Sequence, residues 1–245
     1  MAHVEGAGVA LRYTEHGAGP AVLVVHAMGS DAAAWESAQR SLAAAGDGAR
    51  AIAFDRRGYG SSGAPEPYAA TSVQEQAEDV AALLEALDAV PAVLVGDGFG
   101  AVIVLELLVR RPELARGAVL ADPPLHAFVP EATKALAVER ELLEEALREG
   151  GPRAAVRAWL GERADAARAA RAAADHVGFF ADYAGQASWS PSRRELRAIG
   201  VPVAVVTGGA TPAHVMAAAD AVAALVPGAR RVGDGDVVAA ALALL

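Results

Sequence analysis

The chain has 245 residues, of which 54% are hydrophobic, and a formal net charge of −9; one α/β layer structure with a modest insertion accommodates it, and neither nucleic acid nor an anionic membrane is expected as a partner. It contains no cysteine, which excludes disulfides, a thiolate nucleophile and a thiolate zinc site. Its apolar runs are strand-length and broken by Gly, Pro or charge, too short for a transmembrane helix, and the start MAHVEGAG lacks the basic and apolar regions of a signal peptide, so a cytoplasmic protein is expected.

The predicted elements alternate along the chain. Val9–Gly17 reads as an alternating edge strand, paired with His3–Ala7 across a turn at Gly8. Ala21–Ala27 and Arg50–Asp55 are continuous apolar runs bounded by glycines, the pattern of strands buried on both faces, and the amphipathic stretch Ala32–Ala45 lies between them. Ser72 followed three residues later by Glu75 marks a capping-box helix start. A strand over Ala92–Gly96, a helix from Phe99 to Arg111 and a strand over Gly117–Ala121 complete a βαβ winding around a parallel sheet. From His126 to Arg197 the segments are helical, rich in Ala, Arg and Glu, with aromatics gathered in HVGFFADYAGQASW. Strand character returns at Val201–Gly209, followed by a helix, a short strand at ARRVG and a short final helix. The expected organisation is a core over 1–125 and 198–245, interrupted by a helical lid over 126–197.

The stretch LVGDGFGAVIVL, Leu94 to Leu105, carries two motifs at once. As G-x-G-x-x-A it is a dinucleotide-binding turn, with Asp122 at the end of the following strand as the ribose-binding acid. As a G-x-x-x-G frame it is a nucleophile elbow with glycine at the nucleophile position. Position favours the second, because a dinucleotide turn belongs at the first βα junction and here several strands precede it. Two further loops, HAMGS (His26–Ser30) and DRRGYGSS (Asp55–Ser62), come first. With the D-x-R-G-x-G-x-S pattern at Asp55, Arg57, Gly58, Gly60 and Ser62 and the elbow frame Gly96–Gly100, the chain resembles the α/β-hydrolase family over essentially its whole length. The resemblance implies a mostly parallel sheet of about eight strands, flanking helices and a helical lid.

It also implies a serine, a histidine and an acid, with backbone N–H groups forming an oxyanion hole. The matching positions depart from that plan. The nucleophile position is Gly98, no histidine follows His214, and the stretch VGDGDVVAAA, where a histidine is expected, holds Asp236 instead. The loop GATPAH after Gly209 has no carboxylate, whereas Asp122 matches an alternative acid position. A degraded triad is therefore expected. The resemblance assigns the retained oxyanion donors to the N–H groups of Met28 and Phe99.

Asp122, Asp97 and His126 lie at carboxyl ends of strands, where open α/β sheets bind ligands. Asp122 is preferred to Asp97 as a base, because Asp97 belongs to the elbow turn. Each has a structural alternative: Asp97 as a helix cap, Asp122 as a turn former, His126 as an exposed residue. His26 is read as a support for the oxyanion loop, His176 and His214 as surface or lid-packing residues. Asp234 and Asp236 are read as turn residues rather than a metal pair, and Ser30, Ser61 and Ser62 as turn residues. Phe179, Phe180, Tyr183 and Trp189 are read as lid core. A pocket lined by Met28, Phe99 and lid aromatics is expected above Gly98. Three functions stay open: a non-hydrolytic enzyme acting on a small apolar carbonyl compound (proton transfer, elimination, decarboxylation or cyclisation), a ligand-binding pseudo-hydrolase, and a hydrolase that activates water. No metal or cofactor is expected, and a homodimer is left open.

Overall fold

The computed structural model describes residues 2–46, 48–233 and 235–245, with the side chain of Arg163 outside that description. Strands β1 (Ala2–Glu5) and β2 (Ala10–His16) form the antiparallel edge hairpin. Its first strand starts and ends earlier than the expected His3–Ala7 because Gly6 already accepts from Gly8 and donates to Val9 in the turn. β3 (Ala21–Val25) leads through a short 3-10 turn at Ala32–Trp35 into α1 (Glu36–Ala44), then β4 (Arg50–Phe54). The predicted amphipathic stretch is thus split, with the Asp31 carboxylate capping the turn through the Ala34 N–H.

Helix α2 (Val73–Ala86) begins at the Ser72–Glu75 capping box, both reciprocal bonds being present. β5 (Ala92–Asp97), α3 (Phe99–Arg110) and β6 (Ala115–Ala121) follow. Between β6 and the next strand the described residues are helical: α4 (Ala132–Leu160), broken at Gly151, α5 (Ala166–Ala174), α6 (His176–Ser188) and α7 (Arg193–Arg197). β7 (Val203–Val206), α8 (Ala213–Leu225), β8 (Ala229–Val232) and α9 (Val237–Leu242) close the chain.

The eight strands form one sheet in the order β1-β2-β4-β3-β5-β6-β7-β8, parallel except at the β1–β2 and β2–β4 pairings. The central strands are buried on both faces, as their unbroken Val, Leu and Ala runs require. One face packs on α2, α3, α8 and part of the α4–α7 segment around Leu23, Ile52, Leu94 and Ile103. The other packs on α1 and α9 around Val22, Val24, Val93 and Val119. No helix among the described residues is long and apolar enough to cross a membrane.

The DRRGYGSS loop is a scaffold. Asp55 accepts from the N–H groups of Ala32 (3.0 Å) and Ser61 (3.1 Å), Arg57 grips Asp79 with Nε (2.6 Å) and Nη2 (2.9 Å), and Ser62 Oγ accepts from the Arg12 N–H. These bonds tie the loop after β4 to the hairpin, to α2 and to the loop after β3.

The elbow depends on two different glycine properties. Gly98 adopts φ 52°, ψ −117°, which side chains disfavour. Gly100 allows α3 to approach the sheet: a Cβ there would lie 2.0 Å from the Val25 carbonyl oxygen. Gly100→Ala therefore forces backbone apart, with overpacking of ~3 kcal/mol or more, whereas Gly98→Ala meets only the Ala27 Cβ at 3.2 Å and adds strain of ~1–3 kcal/mol. In thermal denaturation Gly100→Ala is expected to melt about 6 °C or more below the wild type, or not to fold, and Gly98→Ala to fall between them. A Gly100→Ala protein that melts with the wild type contradicts this packing.

Candidate functional site

The carboxyl ends of β3, β5, β6 and β7 open into a cavity of about 1060 Å³ roofed by α4–α6. Ala27, Met28, Asp97, Gly98 and Phe99 contribute from the elbow side, Asp122 and His126 from the segment after β6, Thr211 from the loop after β7 and His214 from the first turn of α8. Trp159, Arg168, Tyr183 and Trp189 contribute from the helical segment. Trp189 is fixed from behind, its Nε1 donating to Glu106 of α3 at 2.9 Å. Phe179 and Phe180 pack edge to face beside this roof.

At the elbow the Gly98 N–H donates to the Ala121 carbonyl (2.9 Å), so the turn is stitched to β6. Gly98 is the N-cap of α3, and no side chain caps the helix. Asp97 is therefore not the cap that its position suggested; it is the last residue of β5 and lines the cavity. As the first residue of α3, Phe99 presents an N–H that has no intrahelical acceptor, at the positive end of the helix dipole.

The environment separates the two carboxylates. Removal from water lifts Asp97 to about 6; the Arg168 guanidinium opposes this and the charge of Asp122 adds to it. No hydrogen bond contributes to holding its charged form. Asp122 is instead fixed in place. It sits at φ 45°, its N–H donates to the Val206 carbonyl (3.0 Å), and its Oδ1 accepts from Thr211 Oγ1 at 2.6 Å.

The two loops that carry Asp122 and Thr211 also bring together His126 and His214, ring centroids 5.6 Å apart. Burial, and then the proximity of His214, lower His126 to about 4. Its Nε2 is buried without a hydrogen-bond partner, so His126 is not the exposed residue considered from the sequence. His214 is a cavity residue rather than a surface one, placed there because α8 begins where the β7 loop meets the cavity. His176, at the start of α6, is partly exposed and does not line the cavity. Asp236 caps α9 by accepting from the Ala239 N–H (2.8 Å), while Asp234 lies outside the described residues. Among the described residues no group of three or more His, Cys, Asp or Glu could hold a metal ion.

His26 is fully enclosed. Its Nδ1 lies 2.8 Å from the Ala27 carbonyl, which can only accept, and its Nε2 accepts from the Arg56 N–H at 3.0 Å. The ring is thus neutral with its proton on Nδ1, and burial and Arg56 hold its pKa well below the ordinary histidine range.

Behind it lies a cluster that sequence reading missed. Arg56 donates to Asp182 Oδ2 (2.7 Å) and Gln76 Oε1 (2.6 Å); Gln76 donates to Asp182 Oδ1 (2.6 Å) and Tyr59 to Asp182 Oδ2 (2.7 Å). All four side chains are buried. The available signal was a lone carboxylate within the apolar run HVGFFADYAG, which a buried helix face must pair.

Comparison with known proteins agrees with this architecture. An epoxide hydrolase from Caballeronia sordidicola is 40% identical over 106 residues, 43% of this chain and 32% of the relative. The bifunctional epoxide hydrolase 2 of Sus scrofa is 32% identical over 117 residues, 48% of this chain and 21% of the relative. The chain thus covers about a third or less of the length of these two relatives. The enol-lactonase of Burkholderia xenovorans LB400 superimposes with a TM-score of 0.75, covering 95% of this chain and 90% of that one at 22% identity, a likeness of fold. The family model for the alpha/beta hydrolase fold matches residues 20–155, more than half of the 245. The chain belongs to the alpha/beta hydrolase fold family.

Proposed function

We propose that the protein is an enzyme that has given up covalent serine-hydrolase chemistry and performs acid–base chemistry on a small, largely apolar carbonyl compound held between the sheet and a lid formed by residues 126–197. The observation that carries this reading is Asp97, a carboxylate beside the elbow glycine whose pKa is lifted to about 6 by burial. Such a group is ionised at neutral pH yet basic enough to take a proton. The N–H groups of Phe99 and Met28 are the donors for negative charge developing on the substrate oxygen, a contribution of roughly two to three orders of magnitude in rate. At Gly98 there is no side chain to form an acyl-enzyme, and the proposed triad is degraded at its nucleophile and its C-terminal histidine. Asp97 takes precedence over Asp122 as base because Asp122 is committed to Thr211. The role of Asp122 is then to fix the loop after β6 and to raise Asp97 by its charge. Proton transfer, elimination, decarboxylation and ring closure all fit this equipment.

A second reading is hydrolysis by an activated water. It is favoured by the relatives' names, epoxide hydrolase and enol-lactonase, and by His126, a cavity-lining residue whose buried Nε2 has no hydrogen-bond partner among the described residues. At about 4 against about 6, His126 is the weaker base of the two, so Asp97 serves as base in this reading as well.

Three outcomes test the proposal. The first needs no substrate. A carboxyl group whose pKa is higher in the fold than in the unfolded chain opposes folding when ionised. Its cost is absent below about pH 4 and complete above about pH 6. Asp97→Asn is expected to be more stable than the wild type at pH 8 and not at pH 4, as read by urea denaturation; equal differences at both values would remove the perturbed carboxyl. The second is turnover, assayed as α-hydrogen exchange of simple ketones in deuterium oxide and as conversion of enol lactones and epoxides. The rate should rise with pH through about 6, and Asp97→Asn should lose roughly two or more orders of magnitude with little change in binding. Full activity in Asp97→Asn rejects the assignment, and ligand binding with no exchange or conversion favours a binding protein. The third is labelling: a fluorophosphonate probe should leave the protein unmodified, and Gly98→Ser should not confer robust esterase activity. Stoichiometric labelling near the elbow would overturn the loss of serine chemistry.

A further inference from the structure

We infer that Asp182, acting through Arg56, is a positioning residue that aims the Met28 N–H into the cavity, so that the oxyanion site is complete only when α6 is docked on the sheet. The inference rests on the proposed role of Met28 as a donor. The hydrogen bonds of two consecutive peptides carry it. The Ala27 carbonyl is held by two donors, His26 Nδ1 at 2.8 Å and Arg56 Nη2 at 3.3 Å, while Arg56 Nε holds the preceding carbonyl, that of His26, at 3.0 Å. In a planar trans peptide the N–H points opposite to the C=O. Pinning the Ala27 oxygen toward Arg56 therefore turns the Met28 N–H away from it, to the side on which Ala27 and Met28 line the cavity.

Arg56 can hold this orientation only if its own guanidinium is held. Its position is fixed by the Asp182 carboxylate and by Gln76, which itself donates to Asp182. Tyr59 closes the set by donating to the same Asp182 oxygen. Asp182 is 0% exposed and Arg56 1%, so no solvent replaces a lost partner. Three of these groups come from the sheet side and α2. Asp182 alone comes from α6, in the helical segment between β6 and β7. That placement makes the direction of a backbone donor in the loop after β3 depend on a helix of the segment between β6 and β7.

The experiment is an amide NMR comparison of the free protein with Asp182→Asn, and with the double variant Arg56→Met/Asp182→Leu. Replacing a buried ion pair by apolar side chains of similar volume commonly preserves the fold, so the double variant keeps the test available if Asp182→Asn fails to fold. In either folded variant the Met28 amide resonance should shift and split or broaden as the Ala27–Met28 peptide samples more than one orientation, while the amides of Val119 and Val205, in the sheet strands β6 and β7, keep their wild-type positions. Arg56→Lys, which retains the charge but cannot fork across two carbonyls and a carboxylate, should disturb Met28 while leaving Asp182 paired. A general structural role would move all three amides together or lower Tm without singling out Met28. That result, or an undisturbed Met28 in a folded double variant, overturns the inference. The outcome is independent of turnover: a disturbed Met28 alongside full activity in Asp97→Asn would retain the coupling and reject the proposed chemistry, and an undisturbed Met28 rejects the coupling whatever the activity.

Discussion

The buried ion pair between Arg56 and Asp182 is the constraint on which the cavity depends. An unpaired charge in this interior would cost several kcal/mol, so the sheet side cannot present Arg56 without α6, and α6 cannot bury Asp182 without the sheet. The pair is fully satisfied by Gln76, Tyr59 and two backbone carbonyls, which makes it a geometric specification as well as an attraction. Further contacts hold the same helical segment down: the Arg171–Asp31 ion pair joins α5 to the loop after β3, and Trp189–Glu106 joins the end of α6 to α3. With the segment seated, the space above Gly98 becomes a roofed cavity that stays partly open to solvent. Desolvation of the groups on its wall is what lifts Asp97 and lowers His126.

The fold was legible in the sequence because its signals are local. Continuous apolar runs at Ala21–Val25 and Ala92–Val95 can satisfy only strands covered on both faces, and the Ser72–Glu75 box names its own helix start. Gly98 and Gly100 were legible as an elbow frame, although their separate duties, a backbone conformation at one and a close approach at the other, needed coordinates. The site was legible only in part. Asp97 and Asp122 were both visible as strand-end acids, but the burial that lifts Asp97 and the Thr211 hydroxyl that holds Asp122 come from segments distant in the chain, which sequence does not bring together. Of the two readings of His214, surface or lid-packing, the second agrees with its contact to His126, a pairing that chain position does not show. Arg56 was hidden as the variable position of a motif whose named residues turn out to be scaffold.

The elbow and its neighbouring carboxylate can be understood together. A residue with a side chain at the conformation of Gly98 would carry strain of roughly 1–3 kcal/mol, which a catalytic nucleophile justifies and a spectator does not. Glycine releases it. At Asp97 the opposite has happened: a carboxyl held at about 6 instead of its ordinary 3.8 carries an unfavourable free energy of at most about 3 kcal/mol when ionised. The two quantities are of the same order. On the proposed reading, the strain stored at this turn has moved from a backbone dihedral to an electrostatic term one residue earlier. On that proposal the reactive group moves as well, from the tip of the elbow to the end of β5, while the helix dipole and the N–H groups assigned to developing negative charge stay where the fold puts them. A fold built to hold an attacking oxygen at the tip can in this way serve a base at the strand end without rebuilding its sheet.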